Sequence, residues 1–139
     1  MLNNKQKITD INEATREVGH LLKEELGNPI SVIDLNEGRY KLLKYPSQNN
    51  LVLFKREMYL TFEEGRGETI NKDDLKKAME QYSIKRVFIV YGDSKIYVIS
   101  PWTIISQGIE RTTEAENKEV ISFPVKLLIR FNEFKEVMI

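Results

Sequence analysis

Residues 49–62 read NNLVLFKREMYLTF, two apolar runs enclosing the charged triplet Lys55, Arg56 and Glu57. Alternation with period two sorts the stretch into one face of Leu51, Leu53, Lys55, Glu57, Tyr59 and Thr61 and another of Val52, Phe54, Arg56, Met58, Leu60 and Phe62. The second face is apolar apart from Arg56, and the length and aromatic content mark a long buried strand. The triplet has two explanations. Either the strand leaves the core there, with its charges hydrated or paired across strands, or the charges belong to a site.

Upstream, ITDINEATREVGHLLKEELGN places Ile8, Ile11, Ala14, Val18, Leu21, Leu22 and Leu26 near one face of a helix. Asp10 with Glu13 three residues on resembles a capping box, and Gly27 suits the helix stop. After Pro29, ISVIDL reads as a strand at about 30–35, and RYKLLKY as a second one ending at Pro46.

Downstream, Asn71 opens a second helix carrying Leu75, Ala78, Met79 and Tyr82. RVFIVY and KIYVIS flank the turn signal GDS as a hairpin. Ser100 and Pro101 start a short helix that ends at Gly108. Polar residues 109–119 read as a loop, and EVISFPVKLLIRFNEF as a short strand followed by a helix from Pro124 with Val125, Leu127, Leu128 and Phe131 as its apolar set. This order gives an α/β (α+β) fold: one domain over residues 1–139, with a mixed central sheet flanked by helices.

The 139 residues, 41% hydrophobic and 30% charged, suit a single folded domain. With no cysteine and one histidine, thiolate zinc sites, disulfides, cysteine nucleophiles and multi-histidine metal sites are excluded. No apolar run is long enough to cross a bilayer and MLNNKQKITD lacks an apolar leader core, so a cytoplasmic protein without a membrane partner is expected. The formal net charge is zero. Polyanion binding therefore requires a local patch; between Arg39 and Glu57, the bases Arg39, Lys41, Lys44, Lys55 and Arg56 face a single acid.

A leading helix, strands carrying an acid and then a lysine, a helix and two more strands resemble the core of the PD-(D/E)XK, or restriction-endonuclease-like, nucleases. The nearest likeness is to the archaeal Holliday-junction resolvases, over residues 8–105. The resemblance implies a metal-dependent endonuclease, or a relative that binds nucleic acid without cleaving it. Mg²⁺ would be the cofactor, DNA, branched DNA included, the partner, and a homodimer the assembly. It also implies Asp34 as first metal ligand, Lys55 as the lysine that orients the attacking water, and Glu17 or Glu13 as the acid of the first helix. Hard oxygen ligands and a cation beside the scissile phosphate are what that chemistry needs. The position two before Lys55 is Leu53, which cannot bind a metal. Glu57, two residues after Lys55 on the same face, is the carboxylate that would replace it as ligand. Arg39, Lys41, Lys44 and Arg56 would contact phosphates.

Other residues have alternative roles. Asp34 precedes the turn-like LNEG and also serves turn initiation. His20 falls on the polar side of the first helix and is expected at the surface. Trp102 and Tyr97 are suited to base stacking but are expected in the core. EGRGE, residues 64–68, lacks phosphate-loop spacing and reads as a connector. The alternative function is a non-enzymatic interaction or assembly protein, docking on a partner or on a second copy through a sheet edge or the apolar C-terminal helix.

Overall fold

The computed structural model describes residues 7–56, 67–113 and 118–131. Its first element is helix α1, Ile11–Leu26. The Asp10 side chain accepts from the Glu13 N–H at 2.8 Å, while the Glu13 carboxylate accepts from the Thr9 N–H and hydroxyl at 3.2 and 3.0 Å. This is a capping box whose return arm reaches one residue further back than usual. Gly27, at φ 77°, ends the helix.

Six strands form the main sheet: β1 (Ser31–Leu35), β2 (Tyr40–Lys44), β3 (Asn49–Lys55), β5 (Ile84–Tyr91), β6 (Ile96–Ile99) and β9 (Ile129–Arg130), in the spatial order β1-β2-β3-β5-β6-β9. Neighbours are antiparallel except β3 and β5, which run parallel with Leu51 opposite Val87 and Leu53 opposite Ile89. A parallel pair needs a crossover. Here it consists of strand β4 (Glu68–Asn71) and helix α2 (Lys72–Tyr82), capped by the Asn71 side chain accepting from the Asp74 N–H at 3.0 Å. Because β3 lies inside the sheet, both its faces are covered. Val52 packs with Ala14, Val18 and Leu22 of α1, while Leu51 and Leu53 pack with Leu75 and Ala78 of α2.

Two sequence expectations need correction. Residues 109–119 are not a loop throughout: β7 (Ile109–Thr113) and β8 (Lys118–Phe123) pair antiparallel and, with β4, form a second sheet in the order β4-β8-β7. Its polarity misled because β7 is an edge strand, and Ile121 and Phe123 of β8 supply its core-facing residues. From Pro124 to Arg130 the segment is likewise not an α-helix, and Phe131 is the one described residue there that is α-helical. Val125–Leu127 make a 3-10 turn, and β9 then joins the edge of the main sheet. Leu128 and Phe131 match the three-residue spacing of a helix face, yet they enter cores on opposite sides of the sheet.

The layers are therefore α1, the main sheet, and a third layer made of α2, the second sheet and helix α3 (Pro101–Gln107). This is the expected mixed sheet flanked by helices. Among the described residues no helix is long and apolar enough to cross a membrane.

Candidate functional site

The face on which a residue lies follows from register. Asp34 pairs with Lys41, and Lys41 with Val52, so Asp34 projects on the α1 side of the sheet. Lys55 pairs with Tyr91 and projects on the α2 side. The expected first ligand and the expected lysine are thus separated by the sheet. Asp34 is exposed and forms an ion pair with Lys41. Glu17 is exposed on α1 and Glu13 is engaged at its cap, both across the sheet from Lys55. Glu57 lies outside the described residues, as do Met58 to Phe62 and most of EGRGE.

Lys55 is not simply hydrated. Its ammonium lies 3.0 Å from Glu68 Oε2 and donates to the Thr69 carbonyl at 2.8 Å. Glu68, 5% exposed, accepts at its other oxygen from the Tyr91 hydroxyl at 2.8 Å. Tyr91 meets Tyr97 edge to face, and the Arg130 guanidinium lies over the Tyr97 ring at 5.8 Å. Burial pushes the Tyr91 hydroxyl pKa upward, and the Glu68 charge beside it pushes the same way. Burial and then Asp74 do so for Tyr40, the residue opposite Leu53.

These donors do not fit Mg²⁺. Octahedral coordination needs several free hard oxygens. Glu68 has both oxygens engaged, and the position two before Lys55 on its strand is Leu53, with Tyr40 opposite it. Among the described residues, no three His, Cys, Asp or Glu side chains form a group able to hold a metal.

The five bases of residues 39–56 do not form one patch. Lys41 is matched by Asp34 and Lys55 by Glu68. Arg39 and Arg56 are exposed at one end of β2 and β3, while Lys44 is exposed at the other. At ~3.4 Å per residue, Arg39 and Lys44 sit about 17 Å apart along the strand.

A cleft of about 750 Å³ opens at the Lys44 end of the sheet, where β5 begins and β6 finishes. Ser47 and Gln48 line one part, Ser83 to Arg86 another, and Ser100, Trp102 and Thr103 of the α3 start a third. Pro101 and Ile104 turn into the core, which leaves Trp102 on the outward side of α3, 69% exposed. The sequence expectation of a core tryptophan is thereby corrected. Tyr97 is half-buried on the β6 face toward Tyr91, and His20 is exposed as expected.

The cleft lining contains Lys85 and Arg86 and no carboxylate. Arg86 is held by Glu25 through two contacts of 2.6 and 3.4 Å, so exposed Lys85 is the cation turned to solvent. Ile84, Val98, Ile99, Leu127 and Ile129 complete a mostly apolar lining, and with an exposed indole, a lysine and several hydroxyls it can bind an anion that carries a flat ring.

Glu68 and the Trp102 surface were the two features missed in the sequence. For Glu68 the available signal was the alternation in ETIN, whose Glu68 and Ile70 point inward together. For Trp102 it was the Pro101/Ile104 pair, which fixes the inward face of so short a helix. Compared with known proteins, the chain matches no family model, no curated protein and no solved structure.

Proposed function

We propose that the protein binds nucleic acid through the Trp102 cleft and acts by binding, not by metal-dependent cleavage. The observation that carries this reading is a cleft with a 69% exposed tryptophan, a solvent-facing lysine and no carboxylate in its lining. Aromatic platforms in cationic grooves suit nucleic acid because every base offers a π-face and every nucleotide a phosphate. The nuclease-like resemblance supports the same class. Its leading helix, three strands, crossover helix and two further strands are present in order, while the metal ligands it implies do not converge among the described residues.

The test is anisotropy of labelled single-stranded, duplex and branched DNA at ~50 and ~200 mM salt, with Mg²⁺ cleavage assays alongside. Binding that weakens with salt is expected, without cleavage. Trp102→Ala should cost about 1–3 kcal/mol, the usual worth of a stacked base, and Lys85→Ala should lower the salt slope by about one phosphate contact. Absence of binding at low salt refutes the proposal.

Self-assembly is a second reading, favoured by one observation. The edge strand β1 and the residue before it present an exposed apolar pair, Val32 at 49% and Ile30 at 63%. An uncovered apolar edge is a template for pairing with a second copy. Light scattering of the full chain and of Val32→Lys decides it: a dimer that Val32→Lys dissociates supports this route, and a monomer in both ends it.

A further inference from the structure

The cleft holds a second cation in masked form. We propose that Arg86 exchanges the Glu25 carboxylate for a phosphate of the bound nucleic acid, so that Lys85 and Arg86 together hold the backbone beside Trp102. This inference rests on the nucleic-acid reading above and adds a phosphate-binding residue and the acid that controls it.

Strand β5 breaks its alternation beside the cleft. Asn49 pairs with Ile84 and Asn50 with Arg86, so Lys85 is an extra residue in β5, a bulge. Regular alternation would place Lys85 and Arg86 on opposite faces of the sheet. Instead Ile84 enters the α2-side core, Arg86 meets α1 through Glu25, and both Lys85 and Arg86 line the cleft. Bulges re-aim side chains at binding sites, and this one brings two adjacent cations to a single opening.

Glu25 is a partner that can leave. It lies in the last turn of α1, where the negative end of the helix dipole opposes a carboxylate. Its side chain is 34% exposed, whereas that of Arg86 is 5% exposed. On release the acid passes to solvent, and the buried guanidinium requires another anion. A phosphate offers the same two-pronged geometry as the carboxylate it replaces.

The polar side chains around the pair are incompletely matched. Both amide atoms of Asn50, the cross-strand neighbour of Arg86, are buried without partners in the protein, as is the Tyr45 hydroxyl. Burial, and after it the charge of Glu25, raises the pKa of that hydroxyl, which sets Tyr45 beside the same ion pair. A fully satisfied network would lock Arg86 against Glu25, while a partly satisfied one permits a change of partner.

The test is anisotropy of a labelled 12-nucleotide single strand at ~50 mM salt with four full-length proteins: the wild type, Glu25→Gln, Glu80→Gln, and Glu25→Met combined with Arg86→Met. Glu25→Gln removes the competing charge and should tighten binding about tenfold, because a charged partner holds Arg86 roughly twice as strongly as a neutral one. Glu80→Gln makes the same change of net charge at an exposed position of α2 and should alter affinity by less than about twofold, since it acts only through the screened field. The double substitution keeps the net charge of the wild type, leaves no uncompensated buried ion and lacks Arg86, so it should bind about tenfold or more weakly than Glu25→Gln. Urea melts establish that each protein is folded.

Equal effects of Glu25→Gln and Glu80→Gln, or equal binding by Glu25→Gln and the double variant, overturn the inference and leave the nucleic-acid reading standing. No binding by any of the four proteins overturns both. Should Glu25→Gln fail to fold, the double variant decides alone: weaker binding than the wild type supports the inference, and binding as tight as the wild type overturns it.

Discussion

Replacing Lys55 by Met removes the cation 3.0 Å from Glu68 while keeping a stem of similar length. At that separation, with an effective dielectric near 20, the gross attraction is about 5 kcal/mol. Desolvation of the carboxylate offsets much of it, and Lys55 keeps 28% of its side chain exposed, so the net coupling should be about 1–2 kcal/mol. The single substitution should cost more, about 2–4 kcal/mol. It strands a carboxylate in a 5% exposed site with Tyr91 as its remaining strong donor. Glu68→Gln keeps an acceptor for Tyr91 and should cost about 1 kcal/mol. Combined with Lys55→Met, it should bring the loss below that of Lys55→Met alone, because no uncompensated charge remains. The assay is urea unfolding of the four proteins at neutral pH, analysed as a double-mutant cycle with the m-value checked for constancy. Additive losses, with coupling under about 0.5 kcal/mol, would refute the view that this pair fastens the second sheet to the first.

Alkaline stability should fall from about pH 10 upward. Burial raises the folded-state pKa of Tyr91, Tyr40 and Tyr45. Their stabilisation is then complete below the unfolded value near 10 and is lost as pH rises toward the folded values, at up to roughly 1.4 kcal/mol per pH unit per tyrosine. Tyr91→Phe should make the decline shallower, and an unchanged slope in alkaline urea melts contradicts that assignment. Arg86→Met should destabilise by about 3 kcal/mol, since it leaves Glu25 without its bidentate partner and Arg86 is 5% exposed as a side chain; a loss under 0.5 kcal/mol in the same melts contradicts it. Gly67→Ala should cost about 2 kcal/mol or more, because its Cβ would lie 1.9 Å from the Phe123 carbonyl oxygen across the start of β4. A neutral thermal shift for this variant contradicts that close approach.

The main sheet was legible because period and punctuation agree at nearly every element. Asp10 and Gly27 bound α1, the Asn36-Glu37-Gly38 turn takes positive φ between β1 and β2, and Asn71 and Ser100 cap α2 and α3. The second sheet was not legible. Its strands β4, β7 and β8 are short, and the edge strand β7 is polar. Strand β4 finds its partner β8 about 50 residues away, which no local pattern shows, whereas β7 and β8 are chain neighbours whose pairing was hidden by the polarity of β7.

The same limit applied to the candidate site. Alternation correctly placed Lys55 on the face of Leu53, but no local pattern could show that its carboxylate partner is Glu68, on another sheet. Asp34 and Lys55 look adjacent in motif order, yet the one-residue parity of β1 against β3 puts them on opposite sides. Trp102 was misplaced because aromatic burial is the usual outcome, while α3 is too short to bury more than Pro101 and Ile104.

The most direct measurement is the indole N–H resonance of Trp102, a single signal in a two-dimensional ¹⁵N spectrum, followed during titration with a 12-nucleotide single strand at low salt. The resonance should shift saturably with the same affinity that labelled DNA reports, and return toward its free position as salt is raised. A resonance that stays fixed while DNA binds, or DNA that does not bind at all, would contradict the assignment of this cleft as the nucleic-acid site.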